Sequence, residues 1–164
     1  MTEGQTIDIE KLVADKLERG MTGCSLILEN RKLGDEEIKQ LCNMEILSDV
    51  NILDLGENNI SNLGVHALCH SPYIGSLKTL NLRSNNITEE GAKSLAESPN
   101  LAKLEQLILK FNKIGEVGAQ YLAQSETLVN LGTLDLFRNR IGDTGAQAIK
   151  NAPIFRRVSR LRLD

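Results

Sequence analysis

The stretch LKTLNLRSNNITEEGAKSLAESPNLAK, residues 77–103, is followed directly by LEQLILKFNKIGEVGAQYLAQSETLVN, residues 104–130, with similar residues in the same columns. The pattern also starts at Val50 and at Leu131, and a degenerate copy starts at Gly23. A partial copy, VSRLRLD, starts at Val158. Repetition at a fixed period of 27 residues predicts a solenoid of equivalent stacked units, because one unit cannot bury its apolar face alone.

Apolar residues change their spacing half-way through each repeat. Leucines two residues apart, such as Leu80 and Leu82, predict one buried face of a short strand. Ala92, Leu95 and Ala96 then follow the i, i+3, i+4 spacing of a helix. Each repeat is therefore predicted to be a strand followed by a helix. The leucine columns are Leu26, Leu53, Leu80, Leu107, Leu134, Leu161 and, two residues later, Leu28, Leu55, Leu82, Leu109, Leu136, Leu163.

An asparagine column follows the second leucine of each strand by three residues. Backbone groups point inward where the chain turns out of a strand, and a buried amide both donates to and accepts from them. We therefore predict a structural role for this column. Its members are Asn58, Asn85, Asn112 and Asn139, with Arg31 in the degenerate copy.

A glycine column precedes the inner face of each predicted helix. It predicts a close approach of helix and strand, and Ser61, Thr88 and Asp143 lie near the predicted helix starts. The column consists of Gly64, Gly91, Gly118 and Gly145.

The pattern LxxLxLxxNxI followed by GAxxLA resembles the leucine-rich repeat, and a 27-residue unit with a helix is similar to the ribonuclease-inhibitor-type subclass. The resemblance implies an α/β fold, a curved right-handed solenoid of about 5.5 repeats with a parallel β-sheet on the concave face and helices on the convex face. It covers residues 23–164, with repeats starting at 23, 50, 77, 104, 131 and 158. The chain also resembles repeat segments of secreted effectors from intracellular bacteria.

The two ends of the chain depart from the repeat. Residues 1–22 are predicted to form an N-terminal helical cap, with an amphipathic helix from about Thr6 that Gly20 ends; a mobile leader is the alternative. Its apolar positions are Ile7, Ile9, Leu12, Val13 and Leu17. At the other end, either the natural protein continues beyond Asp164 or charge protects an exposed edge strand through Arg156, Arg157, Arg160 and Arg162.

Composition excludes several functional classes. The chain has 26 Leu and 14 Asn among 164 residues, no Trp, and no apolar run long enough to span a bilayer. The polar start MTEGQTIDIE is not a signal peptide, and three cysteines without zinc-type spacing favour a reducing, cytoplasmic location. His66 and His70 flank Cys69 but lack the glutamate of a metalloprotease motif. We therefore expect no metal, no cofactor and no membrane association.

Charge is distributed unevenly along the chain. Residues 1–60 carry 13 acids against 6 bases, whereas residues 138–164 carry 7 bases against 2 acids. Because position along a solenoid is position in space, the molecule is predicted to be electrically polar from end to end. This polarity is either drift on solvated faces or a means of steering a charged partner. Nucleic-acid binding is not expected, since the basic end is short and lacks stacking aromatics.

The concave face is the predicted binding surface. Phe111 and Phe137 lie in neighbouring repeats at positions where the framework requires no aromatic residue, and Arg83, Lys110 and Arg138 flank them. Aromatic and arginine side chains grouped on a polar surface are typical of an interface hot spot. The predicted partner-binding residues are Asp54, Asn81, Arg83, Ile108, Lys110, Phe111, Asp135, Phe137 and Arg138.

The sequence thus predicts a monomeric, non-enzymatic module that binds a protein partner through its concave face. A bacterial effector with this function would act in the cytosol of a host cell. One alternative follows from the resemblance, since related solenoids such as Ran GTPase-activating protein act on a small GTPase; Arg83 and Arg138 are the candidate residues for that role. The other alternative is a recognition fragment of a larger enzyme.

Overall fold

The computed structural model describes residues 7–21 and 23–164. Its centre is a sheet of seven strands whose spatial order follows their order in the sequence. Strands two to seven are parallel, and the first pairs antiparallel with the second. The strands are β1 Leu17–Gly20, β2 Gly23–Ile27, β3 Val50–Asp54, β4 Thr79–Asn81, β5 Gln106–Ile108, β6 Thr133–Asp135 and β7 Arg160–Arg162.

A helix precedes β1, and one helix connects each of the parallel strands to the next. The helices are α1 Ile9–Lys16, α2 Asp35–Cys42, α3 Asn62–His70, α4 Glu89–Glu97, α5 Gly115–Ala123 and α6 Gly142–Asn151. Short 3₁₀ segments lie at Glu45–Asp49, Pro99–Leu101 and Pro153–Phe155. The alternation of strand and helix gives the predicted α/β curved solenoid, with the sheet on its concave face and the connecting helices on its convex face.

Strand pairing follows the period of the sequence. Leu53 pairs with Leu80, Leu80 with Leu107, and Leu107 with Leu134, so neighbouring strands are in register at an offset of 27 residues. The leucine columns from β2 to β6 are fully buried between sheet and helices, as the spacing predicted. The core is therefore a continuous aliphatic stack, in which each repeat covers the next.

The asparagine ladder, defined as Asn58, Asn85, Asn112 and Asn139, forms the predicted hydrogen bonds. The Asn112 side chain donates to the carbonyls of Leu82 at 2.9 Å and Leu109 at 2.8 Å, and it accepts from the Ile87 N–H at 3.1 Å. Each amide thus ties its own turn to the turn of the preceding repeat, and its structural role is confirmed.

A second ladder on the helix side was not predicted. Buried serines that follow α3, α4 and α5 donate to carbonyls at the end of the preceding helix: Ser71 to Cys42 at 2.7 Å, Ser98 to Cys69 at 2.9 Å and Ser125 to Ala96 at 2.6 Å. Their 27-residue spacing in the sequence is the signal that identifies them. Side-chain hydrogen bonds therefore connect neighbouring repeats both at the strand ends and at the helix ends.

The glycine column lies between neighbouring helices. The prediction that these glycines allow a close contact between helix and strand was wrong. A Cβ atom added at Gly118 would lie 3.1 Å from the Cα of Glu89 at the start of the preceding helix, and 2.6 Å from Ile114 Cγ2. Gly64 and Gly91 instead face Asp35 and Asn62 of the helix before, whose side-chain oxygens accept from their N–H groups. The missing side chain therefore allows one helix start to pack on the next.

The N-terminal helix is shorter than predicted. The predicted start at Thr6 lies outside the described residues, and α1 begins after Asp8, whose side chain accepts from the Lys11 N–H at 3.0 Å. The helix ends at Lys16 rather than Gly20, because Leu17–Gly20 forms β1 and pairs antiparallel with β2. Helix and hairpin together cover the first repeat, with Ile9 and Val13 buried against it.

No helix in residues 7–21 or 23–164 is both long and apolar enough to cross a membrane.

Candidate functional site

The strand ends of the concave face hold four of the predicted site residues. Asp54, Asn81, Ile108 and Asp135 are the last residues of β3 to β6 and are half-buried. Three of them close the following turn with their own side chains. Asp54 accepts from the Gly56 N–H at 2.9 Å, Asn81 from the Arg83 N–H at 3.1 Å and Asp135 from the Phe137 N–H at 3.0 Å. These polar side chains shape the turns that carry the remaining site residues.

An ionic cluster, defined as Glu29, Glu57 and Arg83, occupies the turns after β2, β3 and β4. The Arg83 guanidinium pairs with Glu57 at 2.6 Å and, two repeats away, with Glu29. Gly56 makes this reach possible, since a Cβ there would lie 3.0 Å from Arg83 Cγ. Arg83 was predicted to orient a partner beside the phenylalanines, but both ends of its fork are already bonded to carboxylates within the chain.

An aromatic cluster, defined as Lys110, Phe111, Phe137, Arg138 and Arg162, occupies the turns after β5 and β6 and the edge strand β7. The two phenyl rings meet edge to face, with centroids 6.0 Å apart. The Arg138 guanidinium lies 5.6 Å from each ring centroid, and Arg162 lies 4.3 Å from that of Phe137. The structure thus brings the predicted Phe111, Phe137, Lys110 and Arg138 together, whereas Arg83 belongs to the ionic cluster.

Phe111 is held in a backbone conformation that bulky residues avoid. Its φ is 60°, in the left-handed region, and 41% of its surface is exposed to solvent. Non-glycine residues with positive φ recur at the same turn position throughout the solenoid: Asn30, Glu57, Ser84, Phe111 and Arg138. Asn tolerates this conformation better than an aromatic residue does. The framework therefore explains the conformation but not the choice of phenylalanine.

An open hollow of about 600 Å³ lies beside the two rings. Sequence reasoning selected Phe111, Phe137 and Arg138 from its lining but missed Lys113 and Arg140. It also missed Arg162, whose guanidinium covers Phe137. The signal was available in the repeat alignment, because Lys113 and Arg140 share one column just beyond the asparagine ladder. We call this feature the phenylalanine hollow; its lining is Phe111, Asn112, Lys113, Phe137, Arg138, Arg140 and Asp164.

The repeat itself matches a known family. A sequence model described as a leucine-rich repeat matches residues 48–69, 76–96, 100–123 and 128–150, which together make up more than half of the chain. The chain belongs to the leucine-rich-repeat family. Among curated proteins no match is found.

Solved structures give a second comparison for this leucine-rich-repeat chain. An internalin (inlF) from Listeria monocytogenes is 28% identical, with a TM-score of 0.53. The alignment covers 77% of this chain and 31% of the internalin chain. This leucine-rich-repeat chain therefore spans about a third of the length of the internalin that it matches.

The two histidines lie on the convex face, on α3, whereas the three cysteines are buried in β2, α2 and α3. The His66 and His70 rings are stacked with centroids 4.1 Å apart on the exposed side of α3, while Cys69 is buried. Burial raises the pKa of the Cys42 and Cys69 thiols to about 12, so both are protonated at neutral pH and lack the thiolate of a nucleophile. Within residues 7–21 and 23–164, no three His, Cys, Asp or Glu side chains are grouped as metal ligands.

Proposed function

We propose that this chain is a non-enzymatic module that binds a protein partner through its concave face. Leucine-rich-repeat solenoids present an extended concave surface on a rigid framework, which suits recognition of another protein. The observation that carries the proposal is the aromatic cluster. Two phenylalanines and their surrounding cations occupy framework positions that do not require them, and one of the two tolerates an unfavourable backbone conformation.

Within the surface, Phe111 and Phe137 act as the anchors. Aromatic side chains supply a large apolar area at a low cost of ordering, and the rings already fix one another edge to face. Lys110 and Arg138 orient the partner around them. Asp54, Asn81, Ile108 and Asp135 form the adjoining strand-end contacts, with Arg83 at the far boundary of the footprint.

Three finer assignments belong to the same proposal. We assign the chain to the ribonuclease-inhibitor-type subclass, and the assignment is supported by the 27-residue unit and by α3, α4, α5 and α6, which have nine or ten residues each. The module acts as a monomer, and it acts in the cytosol, a location that its free, buried cysteines favour. In an infecting bacterium, it acts as a secreted effector in the cytosol of the host.

The test begins with a partner captured from the relevant cytosol and identified. The double substitution Phe111→Ala and Phe137→Ala is expected to weaken its affinity by about 2 kcal/mol or more, because it removes both anchors. Isothermal titration calorimetry measures the affinity, and circular dichroism verifies that the variant is folded.

The matched control changes two residues on the convex helices α5 and α6. Gln120→Ala and Gln147→Ala are expected to leave the affinity unchanged. An equal affinity for the phenylalanine variant and the wild type would exclude the proposed surface. Faster hydrolysis by a small GTPase on addition of the chain would instead support catalysis and contradict a purely binding function.

A further inference from the structure

The cations around the phenylalanine hollow are not neutralised within the described part of the chain. Among residues 7–21 and 23–164, Arg83 has carboxylates within 4.0 Å, but none lies that close to the charged groups of Lys110, Lys113, Arg138, Arg140 and Arg162. The Lys113 ammonium donates to the Asn86 side-chain oxygen, at 3.2 Å. Arg162 is the register partner of Asp135 on the neighbouring strand, yet its guanidinium lies over the Phe137 ring. Five positive charges therefore gather around two apolar rings.

The acidic side chains nearby are already occupied by the backbone. The Asp164 carboxylate in the hollow accepts from the N–H groups of Asn139 and Ile141, each at 2.9 Å. The Asp135 side chain accepts from the Phe137 N–H. Both carboxylates reduce the local positive charge without forming an ion pair with any of the five cations. The Arg138 and Arg162 guanidinium groups lie over the phenyl rings instead.

We infer that the phenylalanine hollow binds an acidic peptide segment of the partner, with an apolar side chain seated against Phe111 and Phe137 and flanking Asp or Glu carboxylates on Arg138 and Arg140. This inference rests on the proposed function and specifies the partner's chemistry. A volume of about 600 Å³ lies within the range of about 300–1,000 Å³ found for ligand pockets. Arginine binds carboxylates in a bidentate, charge-assisted geometry, which is stronger than a neutral hydrogen bond.

A single-stranded nucleic acid is the less favoured occupant of the same cations and rings. Such a ligand needs a basic groove that follows its backbone over about 4–16 nucleotides. Along the turns toward the N-terminus, the next cation is Arg83, which Glu29 and Glu57 neutralise. On its N-terminal side the positive surface therefore ends at the hollow, which suits a few residues of an acidic peptide.

The experiment selects a random peptide library displayed on phage against the immobilised full chain. The wild type is expected to enrich peptides with Asp or Glu on either side of a large apolar residue. A synthetic, fluorescein-labelled peptide from the enriched set is then titrated by anisotropy. Replacing its acidic residues with their amides, or raising the salt concentration, is expected to weaken binding at least about tenfold, because both remove the charge-assisted bonds.

Three protein variants separate the inference from the proposed function. Arg138→Asn with Arg140→Asn is expected to lose at least about tenfold in affinity, since Asn tolerates the left-handed backbone at both positions. Arg156→Gln with Arg157→Gln changes the net charge equally, outside the hollow, and is expected to bind like the wild type. Phe111→Ala with Phe137→Ala is expected to abolish binding.

Each contrary outcome has a distinct meaning. Peptides that need the phenylalanines but are neutral or basic, or that bind equally to the Arg138/Arg140 variant, would overturn the acidic partner while leaving the proposed surface intact. Peptides indifferent to the phenylalanines, or none selected at all, would overturn both. Tighter binding of a fluorescein-labelled oligothymidylate than of the peptide would assign the hollow to nucleic acid, and self-association in sedimentation velocity would assign it to a second copy of the chain.

Discussion

Apart from Arg162, which lies in the strand column of Asp135, the ionic cluster and the aromatic cluster occupy the same two columns of the repeat. Glu29 and Arg83 share one column with Lys110 and Phe137, and Glu57 shares the next with Phe111 and Arg138. In the first cluster every charge has an opposite charge within the chain, whereas in the second the cations face phenyl rings. The framework beneath the two clusters is the same. Side-chain identity therefore decides whether the charges at these turns are paired within the cluster or remain available to a partner.

The asparagine ladder supports the turns of both clusters, and its loss is expected to have the largest effect. Asn85→Ala and Asn112→Ala are each expected to lower the free energy of unfolding by about 1–3 kcal/mol, because each orphans buried backbone groups of two neighbouring turns. Chemical denaturation measures both, and the exposed Gln124→Ala serves as the control, with a change within about 0.5 kcal/mol. If the two substitutions lowered the free energy of unfolding by clearly different amounts, the asparagine hydrogen bonds would not support the two clusters equally.

The fold was largely predictable because its determinants recur in every repeat. Leucine, asparagine and helix positions each appear four or more times at the same spacing, so a chance match in one copy is corrected by the others. The N-terminal hairpin was missed because Leu17–Gly20 occurs once, and a single apolar spacing fits a helix as well as a strand.

The candidate site was only partly predictable for the same reason. Arg83 and Phe111 were grouped because they are close in the repeat alignment, but side-chain reach decided otherwise. Arg83 extends across Gly56 toward Glu29, 54 residues away in the sequence. In the aligned repeats, Glu29, Glu57 and Arg83 lie around Gly56, and this arrangement indicates the ion pairs. The direction in which a long side chain extends, however, depends on its packing, which the alignment does not give.

Removing the two arginines one at a time sharpens the contrast between the clusters. Arg83→Met is expected to destabilise the fold by about 1 kcal/mol at low salt, since it leaves the partly buried Glu29 and the exposed Glu57 unpaired. Arg138→Met is expected to change stability by less than about 0.5 kcal/mol, because no carboxylate in the described part of the chain pairs with Arg138. Thermal unfolding at low and high salt measures both. A salt-independent loss for Arg83→Met would show that its packing, rather than its charge, stabilises the turns.

Exchanging residues at the left-handed turn position tests why phenylalanine stands there. Phe111→Asn is expected to alter the unfolding free energy by less than about 1 kcal/mol, because relief of the backbone offsets the lost ring contact with Phe137. The reciprocal Ser84→Phe is expected to cost up to about 1 kcal/mol, since it gains the strain without a ring partner. A clear stabilising role of Phe111 in urea denaturation would count against its selection for binding.

The smallest expected effect is that of metal removal. Thermal unfolding with and without a chelator is expected to give the same midpoint, because the stacked His66 and His70 have no third ligand among the described residues. A fall in the midpoint with chelator that zinc restores would place a metal on the convex side of α3 and refute this expectation.

The asparagine ladder has a directional consequence for hydrogen exchange. The backbone N–H groups of Ile60, Ile87 and Ile114 each donate to the side chain of an asparagine that lies 25 residues further along, in the following repeat. Deuterium uptake at one of these amides therefore reports the opening of its downstream neighbour while its own repeat stays folded. If the solenoid frays from its C-terminal side, exchange at these amides alone places the boundary of the frayed segment one repeat too early. The serine ladder has no such effect, because its hydroxyls donate to backbone carbonyls and these bonds protect no backbone N–H group from exchange.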